Sequence, residues 1–115
     1  MKLIEKREDV ELLVHSFYEK VVVDPLLSPF FKHLNFDAHL PLMVDFWAFV
    51  LLDEAGYTTD VTKKHLYMRL SQEHFDRWLA LFNQTVDFHF EGEKADMAKQ
   101  RAFLVGWTIQ SKLGK

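Results

Sequence analysis

Whatever chemistry this chain performs must come from its six histidines, three tyrosines and three tryptophans alongside the usual acids and bases, because it contains no cysteine. That absence removes disulfides, thiolate nucleophiles, cysteine-ligated zinc, iron–sulfur clusters and covalent haem attachment through C-x-x-C-H. A bound metal would have to be held by His, Asp, Glu or Tyr. Common catalytic signatures are also missing: there is no G-x-S-x-G, no G-x-x-x-x-G-K-[ST], no G-x-G-x-x-G and no H-E-x-x-H. A di-iron bundle would need Glu-x-x-His twice. The nearest feature is Glu11 with His15 one turn on, which reads as an exposed helix pair.

His39 is followed by Met43, Phe46 and Val50 at i+4, i+7 and i+11, so its imidazole continues an apolar stripe. It either faces an apolar space or sits at a helix start, capping or contacting Asp37. Tyr18, between Val14 and Val22 beside a core stripe, has the same ambiguity: its hydroxyl faces such a space or meets a backbone carbonyl in the core. By pattern His65, after Lys63 and Lys64, is an exposed residue of a short helical piece, and Trp78 is core. His15, His33, His74 and His89 fall at charged or boundary positions and read as solvated.

These residues need helices to position them. Val10, Leu13, Val14, Phe17 and Val21 recur with helical spacing, which predicts a helix over about 9–23 with Asp9 as N-cap and Pro25 ending it. Ser28 and Pro29 start a short helix to about Leu34, and Asp37 opens the next, with Pro41 tolerated in its first turn. From 40 to 52 the one charged residue is Asp45, so this helix is apolar almost all round and belongs at the centre; Gly56 closes it. A polar loop over 57–64 leads into the helical piece around 65–70. Ser71 caps a helix over 72–89 that carries Phe75, Trp78, Leu79, Phe82 and Val86 on one broad face. After Gly92, the residues Ala95, Ala98, Ala102, Val105 and Ile109 give a last helix with a small-residue face suited to close packing. No segment alternates with period two and no hairpin dipeptide appears, so the expectation is an all-α, globin-like domain.

At 115 residues, 49% apolar and 27% charged, the chain is one ordinary globular domain spanning 1–115. Fourteen basic against 17 acidic residues, with no basic run longer than a pair, argue against nucleic acid as a partner. The longest apolar run, 46–52, has seven residues, far short of the roughly 20 that span a bilayer. The first nine residues have no signal-peptide core, so the expected location is the cytoplasm, away from membranes. The 17 aromatic residues are more flat side chains than a core of this size needs.

Read in order, Phe17-Tyr18-Glu19-Lys20-Val21, Asp24-Pro25-Leu26-Leu27-Ser28-Pro29-Phe30-Phe31, His39 with Phe46-Trp47, Lys63-Lys64-His65-Leu66 and Phe75-Asp76-Arg77-Trp78-Leu79-Ala80-Leu81-Phe82 resemble a truncated haemoglobin of the third group. The resemblance covers nearly the whole chain, and the absence of any Gly-Gly pair agrees with that group. It implies a truncated two-over-two helical sandwich holding non-covalent haem b. It also implies His65 as the proximal iron ligand, Tyr18 and Trp78 as distal hydrogen-bond donors, and His39 as the distal-helix residue at the pocket mouth. Phe31, Met43 and Phe46 would line the pocket, with Lys63, Lys64 and Arg69 near enough to His65 to meet the propionates. Two positions depart from the pattern: Phe36 stands where Trp is frequent, and Thr58-Thr59-Asp60 where a Gly is common.

The resemblance implies reversible binding of O₂, CO or NO, for oxygen binding and transport or for nitric oxide handling. Nitric oxide dioxygenation would need an electron donor, and with no flavin or nicotinamide motif here that donor is a separate reductase. Peroxidase-like chemistry is a second expectation, with His39 or a water moving protons beside Tyr18 and Trp78. A haem-free helical interaction module is the third.

Overall fold

The computed structural model describes residues 1–31, 35–54 and 71–112. Among them are four α-helices, α1 Arg7–Val21, α2 Phe36–Leu52, α3 Gln72–His89 and α4 Glu93–Lys112, with a 3₁₀ turn at Ser28–Phe30. The extended pairing among the described residues is one isolated parallel bridge, Lys2 with Phe90. The all-α expectation therefore holds. The loop over 57–64, the helical piece at 65–70 and the end of the short helix near Leu34 lie outside the described residues.

Helix α1 packs on both α2 and α3, and α4 packs on both α3 and α2, so two helix pairs lie one over the other in the two-over-two arrangement. The stripe expected on α1 is its buried face: Val10, Leu13, Val14, Phe17 and Val21 are all closed off from solvent. Helix α2 buries Met43, Val44, Phe46, Trp47, Ala48 and Leu51 around much of its circumference. Asp45, the one charge of its apolar stretch 40–52, stays half exposed and ion-pairs with Arg7 at the start of α1, which also reaches Glu54 at 3.2 Å. On α4 the small residues Ala95, Ala98 and Ala102 are buried and let the backbones approach closely.

Several boundaries differ from the periodicity. Helix α1 begins at Arg7, and Asp9 is its third residue, not its cap: the carboxylate reaches back to accept the N–H groups of Glu5 at 2.9 Å and Lys6 at 3.1 Å. The helix also stops at Val21, two residues early. Helix α2 starts at Phe36, which puts Pro41 in the second turn, past the residues whose N–H groups are free of intrahelical partners. Pro41 is exposed, so the carbonyl it fails to pair faces water. That helix ends at Leu52 because Asp53 adopts a left-handed φ of 58°, and Lys94 donates to the Leu51 carbonyl at 2.7 Å from the first turn of α4. Helix α3 matches its expected span. Between α3 and α4, Gly92 has a φ of +98°, the backbone region that only glycine enters at little cost.

Candidate functional site

The four helices do not close completely on one another. Val14, Phe17 and Tyr18 of α1, Leu27 and Phe31 of the following turn, Met43, Phe46 and Trp47 of α2, His74, Phe75, Trp78 and Phe82 of α3, and Val105, Gly106 and Ile109 of α4 line one cleft. About 770 Å³ inside it, the open mouth included, is not filled by protein atoms. The apolar lining with few polar tips matches the usual chemistry of small-molecule and cofactor pockets.

One wall is a set of rings in contact. Phe82 stacks on Trp47 with centroids 4.8 Å apart and on Trp78 at 5.9 Å, while Phe17 meets Phe82 edge-on at 5.2 Å and Trp78 at 5.8 Å. Helical spacing within α3 puts Trp78 and Phe82 one turn apart on the same face, so both rings meet the cleft. The surplus of aromatics noted in the sequence is thus used twice, inward for packing and outward as a flat apolar lining.

Into this lining protrude a few polar groups. Tyr18 is 8% exposed, and its hydroxyl is 3.1 Å from Nε2 of His39 on α2. The two rings meet edge to face at 5.3 Å, and Phe36 and Phe31 pack against Tyr18 at 5.9 Å. Burial pushes the phenol far above its ordinary value, so Tyr18 keeps its proton and remains a donor across the physiological range. Among the described residues no hydrogen-bond acceptor takes the indole N–H of Trp78. His74 accepts the N–H of Ser71 at Nδ1, 2.9 Å away, and lies edge-on to Phe30 at 4.8 Å.

The helices that carry these tips are tied together by Asp24. Its carboxylate, almost fully buried, accepts from Arg77 Nε at 2.6 Å and from the N–H groups of Leu26 and Leu27 at 3.1 Å each. Burial alone would raise the Asp24 carboxyl, but Arg77 and the two backbone donors outweigh it and hold it below its ordinary value. The end of α1 is thereby locked to the residue preceding Trp78.

Of the residues singled out from the sequence, Tyr18, Phe31, Met43, Phe46 and Trp78 line the cleft, and His39 joins them through its bond to Tyr18. Lys64, His65 and Arg69, with His33, lie outside the described residues. Trp78 is half-buried at the cleft wall rather than enclosed in the core. His74 is not solvated as its charged neighbours suggest: it is half-buried, caps α3 and lines the cleft. His89 is likewise half-buried, and burial, then Lys20 and Lys2, lowers its pKa. Trp47, Phe75, Val105 and Ile109 also line the cleft and were not singled out; each belongs to an apolar face that looks like plain core until the opposite wall is known.

No protein-family model matches the chain. The group 3 truncated haemoglobin ctb of Campylobacter jejuni is 32% identical over 116 aligned residues, which span 95% of this chain and 91% of that one. The crystal structure of a group III truncated haemoglobin from Campylobacter jejuni superposes with a TM-score of 0.88 and 31% identity, covering 98% of this chain and 95% of that one. A truncated haemoglobin from Tetrahymena pyriformis, in its Fe(III) form, shares the fold at a TM-score of 0.71 and 24% identity, over 92% of this chain and 88% of that one. At 32% identity over 95% of its length, the chain belongs to the group 3 truncated haemoglobins.

Proposed function

We propose that the chain, as a single globin domain, binds haem b non-covalently in the cleft and uses it for reversible binding of O₂, CO or NO in the cytoplasm. The observation that carries this reading is a cleft walled by stacked rings, apolar but for a protonated tyrosine, a histidine and indole N–H groups, that of Trp78 having no acceptor among the described residues. Such a lining fits a large flat apolar group. When bound, the haem would supply an iron that takes the diatomic ligand. His65 would be the residue that ligates this iron, a role that a neutral imidazole suits. Phe31, Met43 and Phe46 cover the flat faces and exclude water, and Lys64 and Arg69 are the basic partners of the propionates.

Tyr18 and Trp78 act as donors toward negative charge that develops on the ligand. In so dry a setting each hydrogen bond is stronger than in water. In the tautomer with its proton on Nε2, His39 donates to the Tyr18 oxygen and leaves the Tyr18 proton free to point into the cleft. Handling of nitric oxide by this chain draws electrons from a separate reductase.

The Tyr18–His39 contact also favours a second reading, peroxidase-like chemistry, because half-buried His39 can pass a proton between solvent and the Tyr18 hydroxyl. The absorption spectrum of the purified protein with haemin, ferric and then reduced under CO, tests the first reading. A Soret band that His65→Ala shifts or abolishes is expected. A protein that stays colourless with added haemin refutes both readings and leaves a helical interaction module. Peroxide turnover against O₂ and CO affinity then decides between the first two.

A further inference from the structure

The proposed function uses Tyr18, His39 and Trp78 and leaves His74 without a part. Its ring lines the cleft beside Phe30, at the first turn of α3. Nδ1 lies 2.9 Å from both the backbone nitrogen and Oγ of Ser71. A backbone N–H can only donate, so Nδ1 is the acceptor, and the neutral ring carries its proton on Nε2. Among the described residues nothing accepts that Nε2–H. The helix cap therefore fixes one tautomer and leaves one donor, at a helix N-terminus where the peptide dipoles favour negative charge.

We infer that His74 donates this hydrogen bond to a carboxylate on the edge of the planar ligand in the cleft. The inference rests on the haem reading, since haem b is a flat apolar group with two carboxylates on its rim. Of the described lining residues, Tyr18, Trp47, Trp78 and His74 carry a side-chain N–H or O–H. Tyr18 and Trp78 are the donors already assigned to the diatomic ligand, and Trp47 is buried. An ionised carboxylate avoids full burial, which favours a donor that is itself half exposed to water, as His74 is. Glu73 and Asp76, the acids flanking it on α3, are exposed, and Asp76 is engaged with Gln72.

The test is the rate at which haemin passes from the loaded protein to excess apomyoglobin, compared with haemin dimethyl ester, whose carboxylates are masked. His74→Glu keeps an N3 acceptor for Ser71, the usual capping-box pairing, but replaces the donor with a like charge. His74→Gln keeps an acceptor without the charge, and the melting temperature of each apo-protein reports whether the cap survives. Haemin loss is expected to accelerate about tenfold or more in His74→Glu, the low end for a hydrogen bond to a charged group, with the ester unaffected. An equal change for haemin and ester, or no change in either variant, overturns the assignment while leaving haem binding intact. Wild-type protein that takes up neither compound overturns the haem reading, and this assignment with it.

Discussion

Replacing Asp24 tests how the cleft is held open in a defined shape, because one carboxylate with 4% of its side chain exposed serves three donors from two elements. In Asp24→Ala the buried Leu27 N–H loses its acceptor, which costs roughly 1–3 kcal/mol, whereas the Leu26 N–H at the edge can turn to water. The ion pair adds less than its 2.6 Å length suggests: the Arg77 side chain is 46% exposed, so solvent screening leaves about 1 kcal/mol or below. The expected loss is therefore about 1–4 kcal/mol for Asp24→Ala. For Asp24→Asn, which keeps an oxygen toward the backbone, it is roughly 1 kcal/mol. Urea unfolding at neutral pH measures both. The acid dependence adds a sign, because the folded carboxyl titrates below its free value of 3.8. Its contribution is thus complete above that value and disappears as pH falls through the lower, folded one. The gap between wild type and Asp24→Asn should be flat near neutrality and close below about pH 4. A gap that widens on acidification, or an Asp24→Asn protein as stable as wild type at pH 7, would mean that desolvation outweighs Arg77 and that the corner is not what fixes α1 against α3.

Three other substitutions probe separate features. Tyr18→Phe should leave stability within about 1 kcal/mol, since the lost bond goes to a half-exposed His39, yet speed O₂ release by about tenfold in stopped-flow measurements; an unchanged rate assigns the donor role to Trp78 or to water. Gly92→Ala should cost roughly 1–2 kcal/mol in thermal unfolding because of its φ of +98°. The 2.7 Å approach to Leu3 Cδ2 involves the tip of an exposed side chain, so adding Leu3→Ala should restore little. Gly106→Ala should instead stabilise α4 by about 0.5–1 kcal/mol, because a Cβ there meets Phe75 and Trp78 at 3.8 and 4.0 Å, ordinary contact distances. A loss of stability would show that the α3–α4 seam cannot accept one methyl group.

Helical periodicity made the helices and their buried faces legible, because burying an apolar stripe is the dominant stabilising term and leaves a repeating trace. The ends left a weaker trace. Asp9 before an apolar run reads as an N-cap, yet a carboxylate at the third helical position satisfies the same N–H groups by reaching back, so one residue type is compatible with two registers. Helix α2 stops short of Gly56 because Asp53 takes the left-handed turn and Lys94, 43 residues away, donates to Leu51, a tertiary contact that no local pattern carries.

The cleft separates these two kinds of information more sharply. Its walls came from the same stripes as the core, so Trp47 and Phe82 could be called buried but not assigned to a cavity. Its polar tips carry no periodicity, because a polar group turned inward costs stability and is tolerated singly, wherever a partner waits. Tyr18 and His39 are 21 residues apart and meet only because α1 packs on α2. His74, flanked by Glu73 and by exposed Asp76, reads as solvated until its Nδ1 is found capping α3. The resemblance to a family supplied the first pair and passed over His74, whose role has to be argued from the tautomer that its own helix imposes.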